Sequence, residues 1–184
     1  LRFLSLFRKA GVPTWGDWSK GETARQASGG GLFDLVIHDI DFLRHVAGEP
    51  RSISCAAVAG PLSGHDHINA TWTFDSGTVA TIQGGLAFHA ATPFEARYQA
   101  RFERATLEFS SMNPGVVRVS DDTESRDVKI ETEPDGFRRE IDYFAACAAR
   151  NEPPAECLPE SSLRAIELAH LHIQSAEKGE RIHV

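Results

Sequence analysis

The sequence has no apolar run long enough to cross a membrane, and its first residues do not resemble a signal peptide. Lys and Arg number 19 against 26 Asp and Glu, and they form no basic stripe, which argues against nucleic acid as a partner. Cysteine is scarce and odd in number, and Cys55, Cys147 and Cys157 lack the spacing of a metal site. We therefore expect free thiols in a reducing compartment, the cytoplasm.

Methionine is also nearly absent. The only one is Met112, and the chain begins at Leu1, so we expect these 184 residues to be a piece of a longer protein. The length suits one domain, residues 1–184, with a substantial core.

The periodicity of the apolar residues predicts one helix, then a series of strands, then two more helices. The segment 1–8 is ambiguous between a short helix and a buried strand. Alternation with period two predicts strands over 53–59, 68–74, 78–83, 94–101, 105–109, 116–119, 127–131 and 181–184. Helical spacing predicts helices that end near Gly48, before Glu152 and at Gly179, the last one capped by Ser161 or Ser162.

This order of elements is typical of an α+β fold with an open, mostly antiparallel β-sheet and helices packed on one face. The other face of the sheet also needs a cover. Since the chain has no further helices for it, we expect a homo-oligomer formed through the open sheet face.

The segment 28–43, SGGGLFDLVIHDIDFL, has the clearest functional pattern in the chain. At about 100° per residue, His38 lies about 40° from Asp34 and Asp41 about 20° away on the other side, so the three form one polar stripe. A carboxylate one turn from an imidazole can fix the ring tautomer and raise its basicity, leaving the other nitrogen for a substrate proton. The alternative is an ordinary ion pair between residues i and i+4 on the helix surface.

Three further groups of residues are candidates for binding. The glycine run that includes Gly30 and Gly31 could bring backbone N–H groups close to a ligand, although it lacks the spacing of a phosphate-binding loop. Trp15 and Trp18 could form a pocket wall, or they could anchor a loop on the core.

A metal site is the third candidate. Asp34, His38, Asp39 and Asp41 carry ligand atoms, as do two histidine pairs, His65 with His67 and His170 with His172. None of these sets has the spacing of a known metal motif, so we expect no metal. We expect His65 and His67 to be solvated in a loop, and His170 and His172 to lie on a helix margin.

The stretch GGGLFDLVIHDIDFLRHVAGEP resembles the C-terminal-domain motif of the glucose–fructose oxidoreductase and inositol dehydrogenase family, often written Gfo/Idh/MocA. The matching residues are Gly30, Gly31, Asp34, His38, Asp41 and the run Gly48-Glu49-Pro50. The tail is also similar, at Asp135-Gly136-Phe137, Glu140, Phe144, Ala169, Ser175 and Gly179.

The resemblance implies the C-terminal substrate-binding and oligomerisation domain of a two-domain dehydrogenase acting on a sugar, polyol or related hydroxy compound. It implies that His38 is the acid/base and that Asp34 orients it or joins a proton relay, with Asp41 supporting the helix. It also favours a strand over residues 1–8, with Arg8 and Lys9 leaving it at the substrate cleft. On this basis Lys9, Trp15, Gly30 and Gly31 are candidate substrate-binding residues.

The chain departs from the family pattern in having no GxGxxG after a strand and no Glu-Lys-Pro motif carrying the family's lysine. The resemblance thus implies that NAD or NADP is bound mainly by a missing N-terminal dinucleotide-binding domain of roughly 100 to 150 residues. Without that domain we expect no hydride transfer by this fragment. Two other readings stay open: a stand-alone, non-catalytic binding or assembly module, and a metal-assisted lyase or hydrolase centred on Asp34, His38 and Asp41.

Overall fold

A computed structural model describes residues 1–14, 16 and 27–184 of the chain. In these ranges, nine strands form one sheet. The strands are β1 Phe3–Gly11, β2 Ser52–Val58, β3 His67–Thr73, β4 Val79–Phe88, β5 Glu95–Arg101, β6 Thr106–Ser110, β7 Val116–Ser120, β8 Ser125–Lys129 and β9 Ile182–His183. The helices are a π-helical segment Leu32–Val36 that continues into α1 Ile37–Ala47, then α2 Gly136–Arg150 and α3 Pro159–Lys178.

The strand order across the sheet is β8-β7-β6-β5-β1-β4-β3-β2-β9. Within the described residues, β1 and β4 form the one parallel pair, and every other neighbouring pair is antiparallel. The predicted class, α+β with an open and mostly antiparallel sheet, is therefore confirmed. None of the helices in the described ranges combines the length and the apolarity that a bilayer crossing needs.

The core lies between one face of the sheet and helices α1 and α3. Alternate residues of β1 point into it, with Leu4 and Leu6 almost fully buried, while Ser5 and Phe7 face the open side. Helix α1 contributes Ile40 and Leu43, which have no exposed surface. This packing fixes the rotation of α1 about its axis, and that rotation decides which of its polar residues face water.

Helix α2 forms where the spacing predicts it, with Asp135 capping its first turn by accepting a hydrogen bond from the backbone N–H of Arg138, at 2.8 Å. Its apolar stripe is exposed: Phe137 is 79% exposed, and Ile141 and Phe144 are each 64% exposed. The amphipathic spacing thus predicted the helix correctly, but it did not show what packs against the apolar stripe.

Two predictions about element ends are wrong. The strand β1 continues to Gly11, so Arg8 and Lys9 lie inside it instead of leaving it. Helix α3 begins at Pro159, ahead of the expected serine caps, because a proline in the first turn has a fixed φ and needs no partner for a missing N–H. The predicted glycine at the end of α3, Gly179, is confirmed in the left-handed conformation.

Candidate active site

The start of the π-helical segment is held against the loop 60–66 by a buried carboxylate. Asp66 has no exposed surface and accepts hydrogen bonds from the backbone N–H groups of Gly31 and Leu62, at 3.2 and 2.7 Å, and from the Ser63 hydroxyl at 2.7 Å. A Cβ on Gly31 would lie 2.1 Å from the Asp66 carbonyl oxygen, and one on Gly30 would lie 2.4 Å from its carboxylate. The glycine run therefore permits close packing of the helix start on this loop.

The N–H groups that the sequence offered to a ligand here already have partners within the chain. The Gly31 N–H donates to Asp66, and the Gly30 N–H donates to the Ser28 hydroxyl at 3.2 Å. A substrate contact at these two glycines stays a prediction that rests on the motif alone.

The π-helical segment changes the geometry of the Asp34 and His38 pair. The backbone N–H of Ile37 bonds to the carbonyl of Leu32, five residues back instead of four, so an extra residue is accommodated in the turn that carries Asp34. The predicted regular α-helix is therefore wrong for this turn. The amino-acid composition of the segment does not reveal a π-helical turn. Such turns are often found at functional sites.

Asp34 and His38 are both exposed and lie close enough to interact through their charges. Partial burial of the Asp34 carboxylate raises its pKa, and the charge of His38 acts in the opposite direction. The two described side chains form no hydrogen bond or ion pair with each other in this structure. The arrangement leaves the His38 imidazole open to a ligand, with the Asp34 carboxylate near it.

The residue that follows His38 points to the other side of α1 and forms the most buried ion pair of the site. Asp39 has no exposed surface and accepts from Arg8 Nη2 at 2.8 Å and from Arg8 Nε at 3.0 Å. The Tyr98 hydroxyl donates to the same carboxylate at 3.2 Å. Burial, together with the negative charge of Asp39, raises the pKa of Tyr98 to about 12.

Sequence reasoning missed this cluster. It considered Asp39 only as a metal ligand, and it placed Arg8 at the cleft without a partner. The signal that could have found it was an acid on the buried side of a helix, between Val36 and Ile40, because such an acid requires a cation.

Strand alternation separates the two cations of β1. Arg8 faces the helices, whereas Lys9 pairs with Glu95 at 3.2 Å and lies beside the Phe7 ring, which faces the open side of the sheet. Substrate binding by Lys9 stays a prediction, and the structure does not bring this side chain together with His38. Trp15 lies outside the described residues, as does Trp18.

His38 lines a cleft of about 890 Å³ between α1 and the segment 155–162. Asp41, Phe42 and His45 lie along the same wall. Asp41 contacts Arg44 of its own helix at 3.4 Å, as expected of a residue that supports the helix.

Two of the other histidines, His172 and His67, differ from expectation. His172 is fully buried: its Nε2 accepts from Trp72 Nε1 at 3.0 Å and its Nδ1 lies 2.7 Å from the Leu168 carbonyl oxygen, so the expected place on a helix margin is wrong. His67 begins β3 and packs edge-on against Phe88, so it is not a solvated loop residue. In the described ranges, no three side chains of His, Cys, Asp or Glu are placed to hold a metal ion.

Comparison with known proteins agrees with this fold. Residues 4–129 match the family model described as the GFO/IDH/MocA C-terminal domain. No functionally curated protein matches the sequence.

Two solved structures illustrate the similarity. Levoglucosan dehydrogenase in complex with NADH and levoglucosan superposes with a TM-score of 0.81 at 13% identity, over 100% of this chain and 58% of that chain. UDP-N-acetylglucosamine 3-dehydrogenase GnnA from Acidithiobacillus ferrooxidans gives a TM-score of 0.78 at 20% identity, over 96% of this chain and 54% of that chain. The chain therefore spans a little over half the length of these proteins, and at such low identity the likeness shows the fold alone.

Proposed function

The chain belongs to the GFO/IDH/MocA family as a C-terminal domain, and from that premise we propose that it is the substrate-binding part of an NAD- or NADP-dependent dehydrogenase. The reaction is the interconversion of a hydroxyl and a carbonyl group on a sugar, polyol or related small molecule. The proposal depends above all on the exposed His38 beside Asp34 at the start of α1. Both similar structures are dehydrogenases named for sugar compounds, which supports the substrate class.

The cofactor is assigned to a domain outside this chain. The N–H groups of Gly30 and Gly31 have partners within the chain, so these two glycines do not fit a dinucleotide phosphate. We therefore assign to this chain only the transfer of the proton and the placing of the substrate.

The proton step uses His38. As the substrate hydroxyl becomes a carbonyl, an imidazole nitrogen of His38 accepts the hydroxyl proton, and it returns that proton when the reaction runs towards the alcohol. Asp34 stabilises the imidazolium that forms, because a carboxylate close by favours the charged ring. Asp39 cannot take this part, since Arg8 and Tyr98 already occupy its carboxylate.

The proposal also covers the oligomeric state of the protein and its cellular compartment. The open sheet face would pair with a second copy, which the charge compensation across that face supports: Arg97 pairs with Glu95 and Arg118 with Asp127, each at 2.9 Å. A cytoplasmic setting is supported by the free state of Cys55, Cys147 and Cys157.

The test is an activity screen of the intact protein encoded by the full reading frame. It would be incubated with NAD or NADP and a panel of neutral sugars, anhydrosugars, polyols and sugar nucleotides, and the reduced nicotinamide would be followed by its absorbance. We expect turnover with at least one compound of this class. Binding of neither cofactor, together with no turnover on any compound, would instead indicate a stand-alone binding or assembly module.

A further inference from the structure

Two aspartates in the described ranges have no exposed surface, and they differ in how their charges are held. Asp39 pairs with the guanidinium of Arg8. The Asp66 carboxylate, within the part of the chain that the structure describes, accepts hydrogen bonds from two backbone N–H groups and one hydroxyl group but from no cation. A buried charge without a cation is costly, and the backbone N–H dipoles at a helix start offset only part of this cost. The proton step of His38 does not use Asp66, so the proposed function leaves this buried charge unexplained.

Glycines from three segments of the chain fix where Asp66 can lie. A Cβ on Gly60 would lie 2.4 Å from the Asp66 Oδ2, and one on Gly30 would lie 2.4 Å from Oδ1. A Cβ on Gly85 would lie 2.6 Å from the Asp66 carbonyl oxygen. Side chains do not fit at such distances, so backbone packs directly against the aspartate at each of these positions. The carboxylate is therefore a rigid point to which the start of the π-helical segment is attached.

The loop 60–66 also supports the π-helical segment through apolar side chains. Leu35 of this segment and Leu62 of the loop belong to one small cluster of buried residues, separate from the main core. Leu32 and Val36 of the same segment belong to the main core and have no exposed surface. The π turn is therefore held by two groups of buried side chains, while Asp34 within it stays exposed.

The geometry of this turn decides where Asp34 lies relative to His38. The turn contains one residue more than an α turn, so relaxation to a regular α-helix would rotate Asp34 about the helix axis relative to His38. The N–H group of Gly31, the residue just before the π-helical segment, donates to Asp66 at 3.2 Å. Two glycines ahead of it have positive φ, a conformation that glycine adopts at little steric cost. The bond to Asp66 thus fixes the start of the turn at a place where the chain ahead of it adapts easily.

We propose that Asp66 is a positioning residue for the proton step: it holds the π turn in the geometry that places Asp34 beside His38. Asp66 does not line the cleft that His38 lines, so it acts through the backbone of the turn. The inference rests on the proposed function and deepens it, because it assigns the geometry of the acid/base pair to a residue of the loop 60–66. A misplacement of about 1 Å at the reacting groups can lower a rate about 10²-fold.

The first measurement is kcat and KM of the intact protein with Asp66→Asn, which keeps the size of the side chain but replaces one acceptor oxygen by an amide NH2 group. We expect kcat to fall about 10- to 100-fold and KM to stay within a few-fold, because the substrate still binds while Asp34 is misplaced. Ser63→Ala is the milder variant, since it removes one hydrogen bond of the carboxylate and keeps the carboxylate itself. It should lower kcat by a few-fold, and it tests the same contact should Asp66→Asn fail to fold.

Phe74→Leu is the matched control for lost stability. Phe74 is a buried core residue that directly follows β3, whereas Asp66 directly precedes it, so the two lie at opposite ends of a seven-residue strand. The control therefore removes buried apolar surface far from the start of the π-helical segment. Its kcat should stay within a few-fold of the wild type, even where its Tm falls as far as that of Asp66→Asn.

A double-mutant cycle with Asp34 separates positioning from a general loss of structure. Asp34→Asn alone should lower kcat, and adding Asp66→Asn to it should lower kcat by no more than about twofold further, because the carboxylate that Asp66 positions is already gone. The pH profile of kcat in Asp66→Asn should also change to that of Asp34→Asn. Full additivity of the two losses, or a pH profile unchanged from the wild type, would overturn the positioning role.

Hydrogen exchange distinguishes the failure of this inference from the failure of the proposed function. In the intact protein, Asp66→Asn should speed amide exchange in peptides that cover residues 29–37 by about tenfold or more, with peptides of α3 unchanged. A wild type that turns over substrate, with Asp66→Asn as active as Phe74→Leu, would overturn the inference and leave the dehydrogenase. A wild type without turnover would contradict the dehydrogenase. In that case faster exchange at 29–37 would support the hold of Asp66 on the turn, and unchanged exchange would overturn it.

Discussion

At the scale of single residues, neighbouring polar side chains of one short helix have opposite environments. His38 is exposed, while Asp39, the next residue, is fully buried against Arg8. The sequence identified Asp34 and His38 because a motif carries them. It could not separate Asp39 from Asp41, since the difference lies in a cation 31 residues away along the chain.

His172 gives the clearest prediction at this scale. Burial lowers the pKa of His172 to about 4, against the ordinary histidine value of 6.5 that applies in the unfolded chain. The unfolded state then binds the proton more readily than the folded state does. The stability that comes from burying neutral His172 is therefore fully present above pH 6.5, and it is lost as the pH falls towards 4. Across that window the free energy of unfolding should fall by up to about 1.4 kcal/mol per pH unit.

The measurement is urea unfolding at several pH values between 4 and 7. His172→Gln can still accept the hydrogen bond from Trp72, and it should lose this part of the slope. His170→Gln, at an exposed position two residues earlier on the same helix, should keep it. Equal slopes in the wild type and His172→Gln would show that the proton binds elsewhere.

At the scale of elements, the contact between β1 and α1 determines where His38 points. Arg8 and Tyr98 hold Asp39 from two neighbouring strands, so the carboxylate fixes α1 against the sheet one residue after His38. The sequence predicted both elements but not their pairing. It also could not show that β1 lies parallel to β4 at the middle of the sheet, because strand order depends on contacts distant in sequence.

Asp39→Asn tests this contact. Removing one charge of a buried pair leaves the other without compensation, so the variant should lose about 3 to 5 kcal/mol of unfolding free energy. Asp127→Asn, which breaks the exposed pair with Arg118, should change the free energy of unfolding far less, because water screens that pair. Both values come from urea denaturation at pH 7, and similar losses in the two variants would mean that burial does not distinguish the pairs.

At the scale of the whole molecule, the two faces of the sheet differ in what covers them. Helices α1 and α3 cover one face, and polar side chains of the other face pair with each other, as when the Gln99 amide donates to Glu108 at 2.8 Å. Alternation with period two revealed that one face is polar. What covers this face depends on the assembly, and the sequence pattern of one chain does not reveal it.

The oligomer proposed for this face has a direct test. Gln83 is exposed at its centre on β4, so Gln83→Arg should leave the fold intact while placing an unpaired charge in the interface. Light scattering should show an oligomer in the wild type and a smaller species in Gln83→Arg. Thr123→Arg, in an exposed turn before β8, should behave as the wild type, and a wild type that is monomeric throughout would contradict the interface.

The central claim is that His38 moves the substrate proton, and it is tested most directly by kcat of the intact protein with His38→Ala. The account predicts a loss of about 10²- to 10⁴-fold in kcat, the usual contribution of a general acid/base, with the Kd for the nicotinamide cofactor unchanged. His45→Ala, two turns further along the same cleft wall, is the matched control and should retain kcat within a few-fold. A His38→Ala protein that turns over its substrate as fast as His45→Ala would contradict the account.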